Sequence, residues 1–371
     1  MVIGVPKEIK DGEERVAITP AGVASFREQG HTVLVETHAG AGSRIPDSEY
    51  RQAGARIVRD AAGVFGSAEL ILKVKEPLSP EYRLLHQGHI LFTYLHLASS
   101  QDLTRALLRS GLTAIAYETV ETDDGRLPLL VPMSEIAGKM SVQIGARLLE
   151  THSGGRGTLL GGVPGVPPAD VVILGGGVSG ARAARVAAGM GARVTVLDVN
   201  HERLRYLSDV LPGNVQTLYS SAHGVDRAAR YADLVIGAVL VPGAKAPKLV
   251  RRETVRKMKA GAVIVDIAID QGGCVETIRP TCHSMPSYVL HDVVHYAVPN
   301  IPAAVARTST NALTNATLPW ALEIANRGLR NALASNRALA RGVNVAQGRI
   351  NHPAVAYSFG VDAVDWREVL S

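Results

Sequence analysis

Two doubly wound α/β domains, each on a mostly parallel sheet and one inserted in the other, are what this sequence predicts, and three observations carry the prediction. The first 130 or so residues alternate short apolar runs with helix-like stretches. The apolar run over residues 171–174 ends in Gly175-x-Gly177-x-x-Gly180, and the next apolar run closes on Asp198. An amphipathic tail that follows a helical pattern over residues 308–326 has no obvious partner within its own stretch.

In the first region, strands are expected at residues 2–5, 33–36, 70–74, 89–95 and 113–116, with helices at residues 21–29 and 103–108. A Pro-flanked loop at residues 127–132 opens a long helical pattern over residues 134–150, which reads as a connecting helix. A Gly/Pro-rich stretch over residues 154–168 then leads to the strand before the glycines. Further strands are expected at residues 193–197, 234–237 and 262–266, and a helix over residues 308–326. Ala332, Leu333 and Leu339 fall at helical spacing in the tail. The central segment is already a complete nucleotide domain, so the tail is expected to return to the first one. The expected division is a discontinuous substrate domain, residues 1–130 with 305–371, and a nucleotide domain with connecting helices, residues 131–304.

The glycine pattern is a dinucleotide site of the Rossmann type. Gly175, Gly177 and Gly180 permit a tight strand-to-helix turn, close approach of the backbone to a pyrophosphate, and close packing of helix on sheet. The helix that follows supplies free N–H groups and a positive dipole end. Asp198, about 20 residues further on, stands where an acid holds the adenosine ribose, which points to NAD.

Composition excludes other classes. With 371 residues, 46% of them hydrophobic, the chain can bury a large core. A formal charge of +5 is slight, and aromatics at 4% give no stacking platform, so no nucleic-acid partner is expected. Cys274 and Cys282 form neither a disulfide framework nor a thiolate metal site. No apolar run approaches the roughly 20 residues of a membrane span, and the chain opens on a strand instead of a leader, so no membrane association and a cytoplasmic location are expected.

Ligands of open α/β sheets bind beyond the carboxyl ends of strands. Three residues of the first region occupy such places: Arg15 in the loop after the first strand, Lys75 after residues 70–74, and His96 after residues 89–95. Arginine offers a planar fork for a carboxylate, lysine a point charge for a carbonyl oxygen, and histidine a proton carrier near neutral pH, a set suited to a 2-oxo or 2-amino acid. Asp270 lies beyond the strand at residues 262–266, in a loop before Gly272-Gly273. Ser134, Ser220, Val239, Leu240 and Asn300 follow elements bordering the same crevice and are candidates for the nicotinamide half.

Several blocks together resemble the alanine dehydrogenase and transhydrogenase alpha-subunit family across nearly the whole chain. They are Glu14-Arg-Val-Ala-Ile-Thr-Pro-Ala-Gly22, Leu72-Lys-Val-Lys-Glu-Pro77, Thr93-Tyr-Leu-His-Leu-Ala98, Met133-Ser-Glu-Ile-Ala-Gly138, Gly161-Gly-Val-Pro-Gly-Val166, the stretch from Asp233 to Pro247, and Val265-Asp-Ile-Ala-Ile-Asp-Gln-Gly-Gly273. The resemblance implies reversible NAD-dependent deamination of L-alanine to pyruvate and ammonium. By it Arg15 and Lys75 bind the substrate carboxylate and carbonyl, and His96 and Asp270 are the acid/base pair. Ser134, Val178, Ser179, Asp198, Arg203, Ser220, Val239, Leu240, Ile267, Ala268, Ile269, Asp270, Arg279, Val298 and Asn300 then surround NAD. It also implies a homohexamer. Some members carry a magnesium site from a Glu and a His one helical turn apart; here Glu323 is matched but Arg327 stands at the partner position, so no metal is expected. Two other readings share the architecture: the NAD-binding component of a transhydrogenase, and a related amino-acid dehydrogenase with a larger side-chain pocket.

Overall fold

The computed structural model describes residues 1–239 and 246–370. Its strands are β1 (Val2–Val5), β2 (Thr32–Glu36), β3 (Arg56–Val58), β4 (Leu70–Leu72), β5 (Ile90–Thr93), β6 (Thr113–Ala116), β7 (Asp170–Leu174), β8 (Arg193–Asp198), β9 (Val215–Tyr219), β10 (Leu234–Gly237), β11 (Val263–Asp266), β12 (Ser287–Leu290), β13 (Val293–Tyr296), β14 (Val343–Ala346) and β15 (Arg349–Ile350). Contacts divide the chain into two compact units, Met1–Met133 with Ala303–Ser371, and Ser134–Pro302. The division falls inside the helix Val131–Leu148.

The first unit holds a sheet of order β15-β14-β6-β5-β4-β1-β2-β3, parallel from β3 through β6. Strand order reverses between β1 and β4, the place where a doubly wound sheet leaves a crevice. Apolar runs without alternation, such as Leu70-Ile-Leu72 and Ile90-Leu-Phe92, are buried on both faces, as parallel strands between helical layers must be. At the other edge β14 runs antiparallel to β6, and β15 antiparallel to β14. These two strands lie in the tail whose pattern reads as helix. The helical part is real but short, Leu329–Ser335 and Arg337–Arg341, with the Asn336 side chain accepting from Leu339 N to cap the second. Ala332, Leu333 and Leu339 are its buried residues. Gln347 and Gly348, with φ of 48° and 74°, then make the left-handed two-residue turn that suits a hairpin.

The second unit holds a sheet of order β12-β13-β11-β10-β7-β8-β9, again with its reversal beside the first strand, between β7 and β10. Only β12 is antiparallel. Alternate residues feed two cores: Val171, Ile173, Val194 and Val196 lie on one face of the sheet, Val172, Leu174, Val235 and Ile264 on the other. No helix among the described residues is long and apolar enough to cross a membrane.

Candidate functional site

In the first unit the three substrate candidates lie in the connections that follow β1, β4 and β5, which are neighbours in the sheet. The loop from β1 to the helix Pro20–Glu28 carries Arg15, which is 2% exposed. Its Nε donates to Glu13 Oε1 at 2.6 Å and its Nη2 to Glu13 Oε2 at 2.5 Å, while the main-chain N–H of Arg15 donates to the same Oε1 at 3.1 Å. Nη1 stands 3.0 Å from Met133 Sδ.

Lys75 is fixed through its backbone. Its N–H and that of Val74 donate to Glu8 Oε1 at 3.3 and 2.6 Å, and its carbonyl accepts from Thr93 Oγ1 on β5 at 3.0 Å. Nζ stands 6.0 Å from the centre of the Tyr94 ring. Lys73, two residues before it, is fully buried between Glu8 and Glu81, at 3.0 and 2.9 Å. Burial works against a charged Lys73, but the two carboxylates outweigh it and raise its pKa.

His96 follows β5 in the left-handed region, φ 51°, a conformation that a non-glycine residue holds only when its surroundings fix it. Glu118 fixes it: the carboxylate accepts from Leu95 N at 3.1 Å and from His96 N at 2.6 Å, and stands 3.8 Å from His96 Nδ1. The His96 side chain is 47% exposed and its ring lies parallel to that of Tyr94. Glu8 and Glu118 are not legible in the sequence because each is defined by a partner on another turn or strand, whereas the signal of Glu13 is its spacing, two residues before Arg15.

In the second unit the turn after β7 explains its three glycines separately. Gly175 has φ 99°, and a Cβ there would stand 2.7 Å from the carbonyl oxygen of Ala238 after β10. A Cβ on Gly180 would collide with the carbonyl oxygen of Gly175. At Gly177 a Cβ would meet nothing within 4 Å. That glycine opens the helix Val178–Gly189, which has no side-chain cap, so the first helical N–H groups face outward from an open backbone cradle.

Asp198, at the end of β8, accepts from Gly176 N at 2.6 Å and Asn200 N at 2.8 Å. Arg203 donates from Nε to the carbonyl oxygen of Gly176 at 2.5 Å, so its guanidinium braces the turn. Ser179 Oγ donates to the carbonyl of Ser134 at 2.9 Å, and Ser220 N to the carbonyl of Asp198 at 2.9 Å. Val178 is exposed and Val239 is half-buried; Leu240 lies outside the described residues.

Asp270 is exposed in the single turn Ile267–Gln271 that follows β11. Ala268, Ile269 and Val298 are buried in the core, so the groups they can offer a ligand are those of their main chain. Arg279 lies over the Tyr288 ring, 4.3 Å from its centre, and Asn300 is left-handed with φ 61°. Beneath the Asp270 turn lies Asp266, fully buried, accepting from Ala268 N at 3.0 Å and Cys274 N at 2.8 Å. Burial pushes its carboxyl up to about 6 in spite of those hydrogen bonds. Glu323 accepts from Asn336 Nδ2 at 2.7 Å, and among the described residues no three His, Cys, Asp or Glu side chains group as metal ligands.

Residues 4–137 match the family model described as the N-terminal domain of alanine dehydrogenase/PNT, and residues 141–353 match its C-terminal domain. An alanine dehydrogenase from Methanococcus maripaludis is 58% identical over 357 residues, 96% of each chain. One from Mycobacterium tuberculosis is 55% identical over 371 residues, 100% of each. A solved L-alanine dehydrogenase structure superposes with a TM-score of 0.94 at 55% identity, over 97% of this chain and 99% of the other. A transhydrogenase from Sinorhizobium meliloti gives a TM-score of 0.82 at 25% identity, over 95% and 100%.

Proposed function

This chain belongs to the alanine dehydrogenase/PNT family, and from that premise we propose that it is an NAD-dependent L-alanine dehydrogenase, converting L-alanine, NAD+ and water reversibly to pyruvate, ammonium, NADH and a proton. The observation that supports the reading is that a guanidinium, an ammonium and an imidazole lie in the connections after three adjacent strands, two of which flank the switch point of the first sheet.

Each group has a task its chemistry suits. The Arg15 fork holds the substrate carboxylate and so sets the direction in which the Cα hydrogen points. Lys75 places its charge at the carbonyl oxygen of pyruvate or the nitrogen side of the imine. His96, exposed at a fixed backbone, takes a proton from the water that adds to the imine carbon and gives one as ammonia leaves. Asp270 serves as the second proton-transfer group.

The second unit fits a dinucleotide by its open cradle. The backbone at Gly177 and the uncapped helix start at Val178 would hold the pyrophosphate, and Asp198 the adenosine ribose. Ser134, Ser179, Ser220, Val239, Ile267, Ala268, Ile269, Arg279, Val298 and Asn300 are proposed to line the rest of it, with Leu240. Arg203 acts behind the turn. The nicotinamide, when bound, takes the hydride from Cα or returns it. A homohexamer is proposed as the working assembly.

NADH absorbance tests the reading in both directions, first with L-alanine and NAD+, then with pyruvate, ammonium and NADH. Alanine-dependent formation and ammonium-dependent consumption are expected; absence of both overturns it.

A further inference from the structure

A guanidinium can bind a carboxylate side-on, through Nε and Nη2, or end-on, through Nη1 and Nη2. At Arg15 the side-on edge is taken by Glu13, at 2.6 and 2.5 Å, and the two side chains are 1% and 0% exposed. The main-chain N–H of Arg15 closes on the same carboxylate at 3.1 Å, so Glu13 fixes both the root and the head of the arginine two residues after it. A buried, bidentate pair of this kind is neutral as a unit and has one orientation.

We propose that Glu13 is a positioning residue for substrate: it fixes the orientation in which the Arg15 guanidinium meets a substrate carboxylate, and it offsets the arginine's charge. Arg15 and Lys75 then act on the substrate together. The same loop anchors both groups, because Glu8, five residues before Glu13, holds the main-chain N–H of Lys75. The inference rests on the reading of Arg15 as the carboxylate ligand.

Steady-state kinetics on the whole enzyme test it, with pyruvate varied at saturating NADH and ammonium. Glu13→Asp keeps the charge but shortens the reach; Glu13→Gln keeps the reach but removes the charge. Both are expected to raise KM for pyruvate by about tenfold or more, the scale of a lost charge-assisted hydrogen bond, with kcat changed far less and KM for NADH unchanged. Arg15→Gln should raise KM at least as much, and Glu13→Gln/Arg15→Gln no further than Arg15→Gln alone, because Glu13 acts through Arg15.

If Arg15→Gln raises KM while Glu13→Asp keeps the wild-type value, the positioning role is overturned. Additive effects in the double variant overturn it too, since they would mean that Glu13 acts on its own. If Arg15→Gln itself leaves KM unchanged, it is the assignment of Arg15 that falls. Should Glu13→Gln not fold, because it strands a buried guanidinium, the charge-conserving Glu13→Asp and the neutral double variant still decide. A purely structural Glu13 would lower Tm in these variants and leave KM where it is.

Discussion

After β7 the chain passes through three residues and enters a helix at Val178; after β1 it wanders from residue 6 to Thr19 before its helix begins at Pro20. Both connections follow the first strand of a sheet whose six parallel strands share one order, and both are proposed to meet an anion. The first is made of absence: glycines whose missing side chains let a carbonyl, a helix and a ligand come close. The second is made of buried charge: Glu13 and Arg15 hold one another, and Glu8 is held by Lys73 and the main chain at Lys75. A backbone cradle of this sort fails by collision, whereas a charged frame fails by losing orientation or neutrality, and substitutions can separate the two.

The largest effect is expected from Gly180→Ala. The new Cβ strikes the Gly175 carbonyl, and relief requires the helix to leave the sheet, a cost of about 3 kcal/mol or more. NADH affinity, read by fluorescence titration, should fall by on the order of a hundredfold. Wild-type affinity in this variant would show that the turn yields and that the comparison is drawn too sharply.

His96→Ala should do the reverse, lowering turnover by about a hundredfold or more while NADH titrates as before, because positioned proton transfer supplies that much. Undiminished turnover would remove His96 from the mechanism. A smaller change is expected from Asp198→Ala, where the charge proposed to face the ribose is lost. The preference for NAD over NADP should narrow by about tenfold, and an unchanged ratio would mean that another group selects the cofactor.

A last effect, on stability alone, concerns Asp266, a fully buried acid of the second unit. Asp266 binds its proton more tightly in the folded chain, at about 6, than a carboxyl does in the unfolded chain, at about 3.9. Its contribution is therefore full below about pH 4 and is lost as pH rises through about 6, on the order of 3 kcal/mol in all. Denaturation of wild-type protein and Asp266→Asn across that window should give a stability difference that changes with pH and levels off above it. A difference that stays flat would mean that Asp266 is ionised throughout.

The same contrast governs what could be read in advance. β1, β4, β5, β7, β10 and β11 are continuous apolar runs, and their physics is local. The glycine turn is local as well, so spacing alone exposes it. Glu13 and Glu118 carry their meaning in contacts, and Glu118 reaches His96 from the turn after a neighbouring strand. Lys73 and Lys75 look alike in Leu-Lys-Val-Lys, yet one is sealed between two glutamates and the other is not. β14 and β15 were hidden for a different reason: four and two residues are too few to show a period, and the helices just before them dominate the pattern.

Those late strands have a consequence for how the molecule is made. β6 ends at Ala116, and its antiparallel neighbour β14 begins at Val343, with the whole second unit encoded in between. On a ribosome adding about 5–20 residues per second, the edge of the first sheet waits roughly ten seconds or more for its covering strand. The part of the chain that emerges first is thus the last to be closed, and for that interval β6 presents an open row of main-chain donors and acceptors to whatever nascent chain lies alongside.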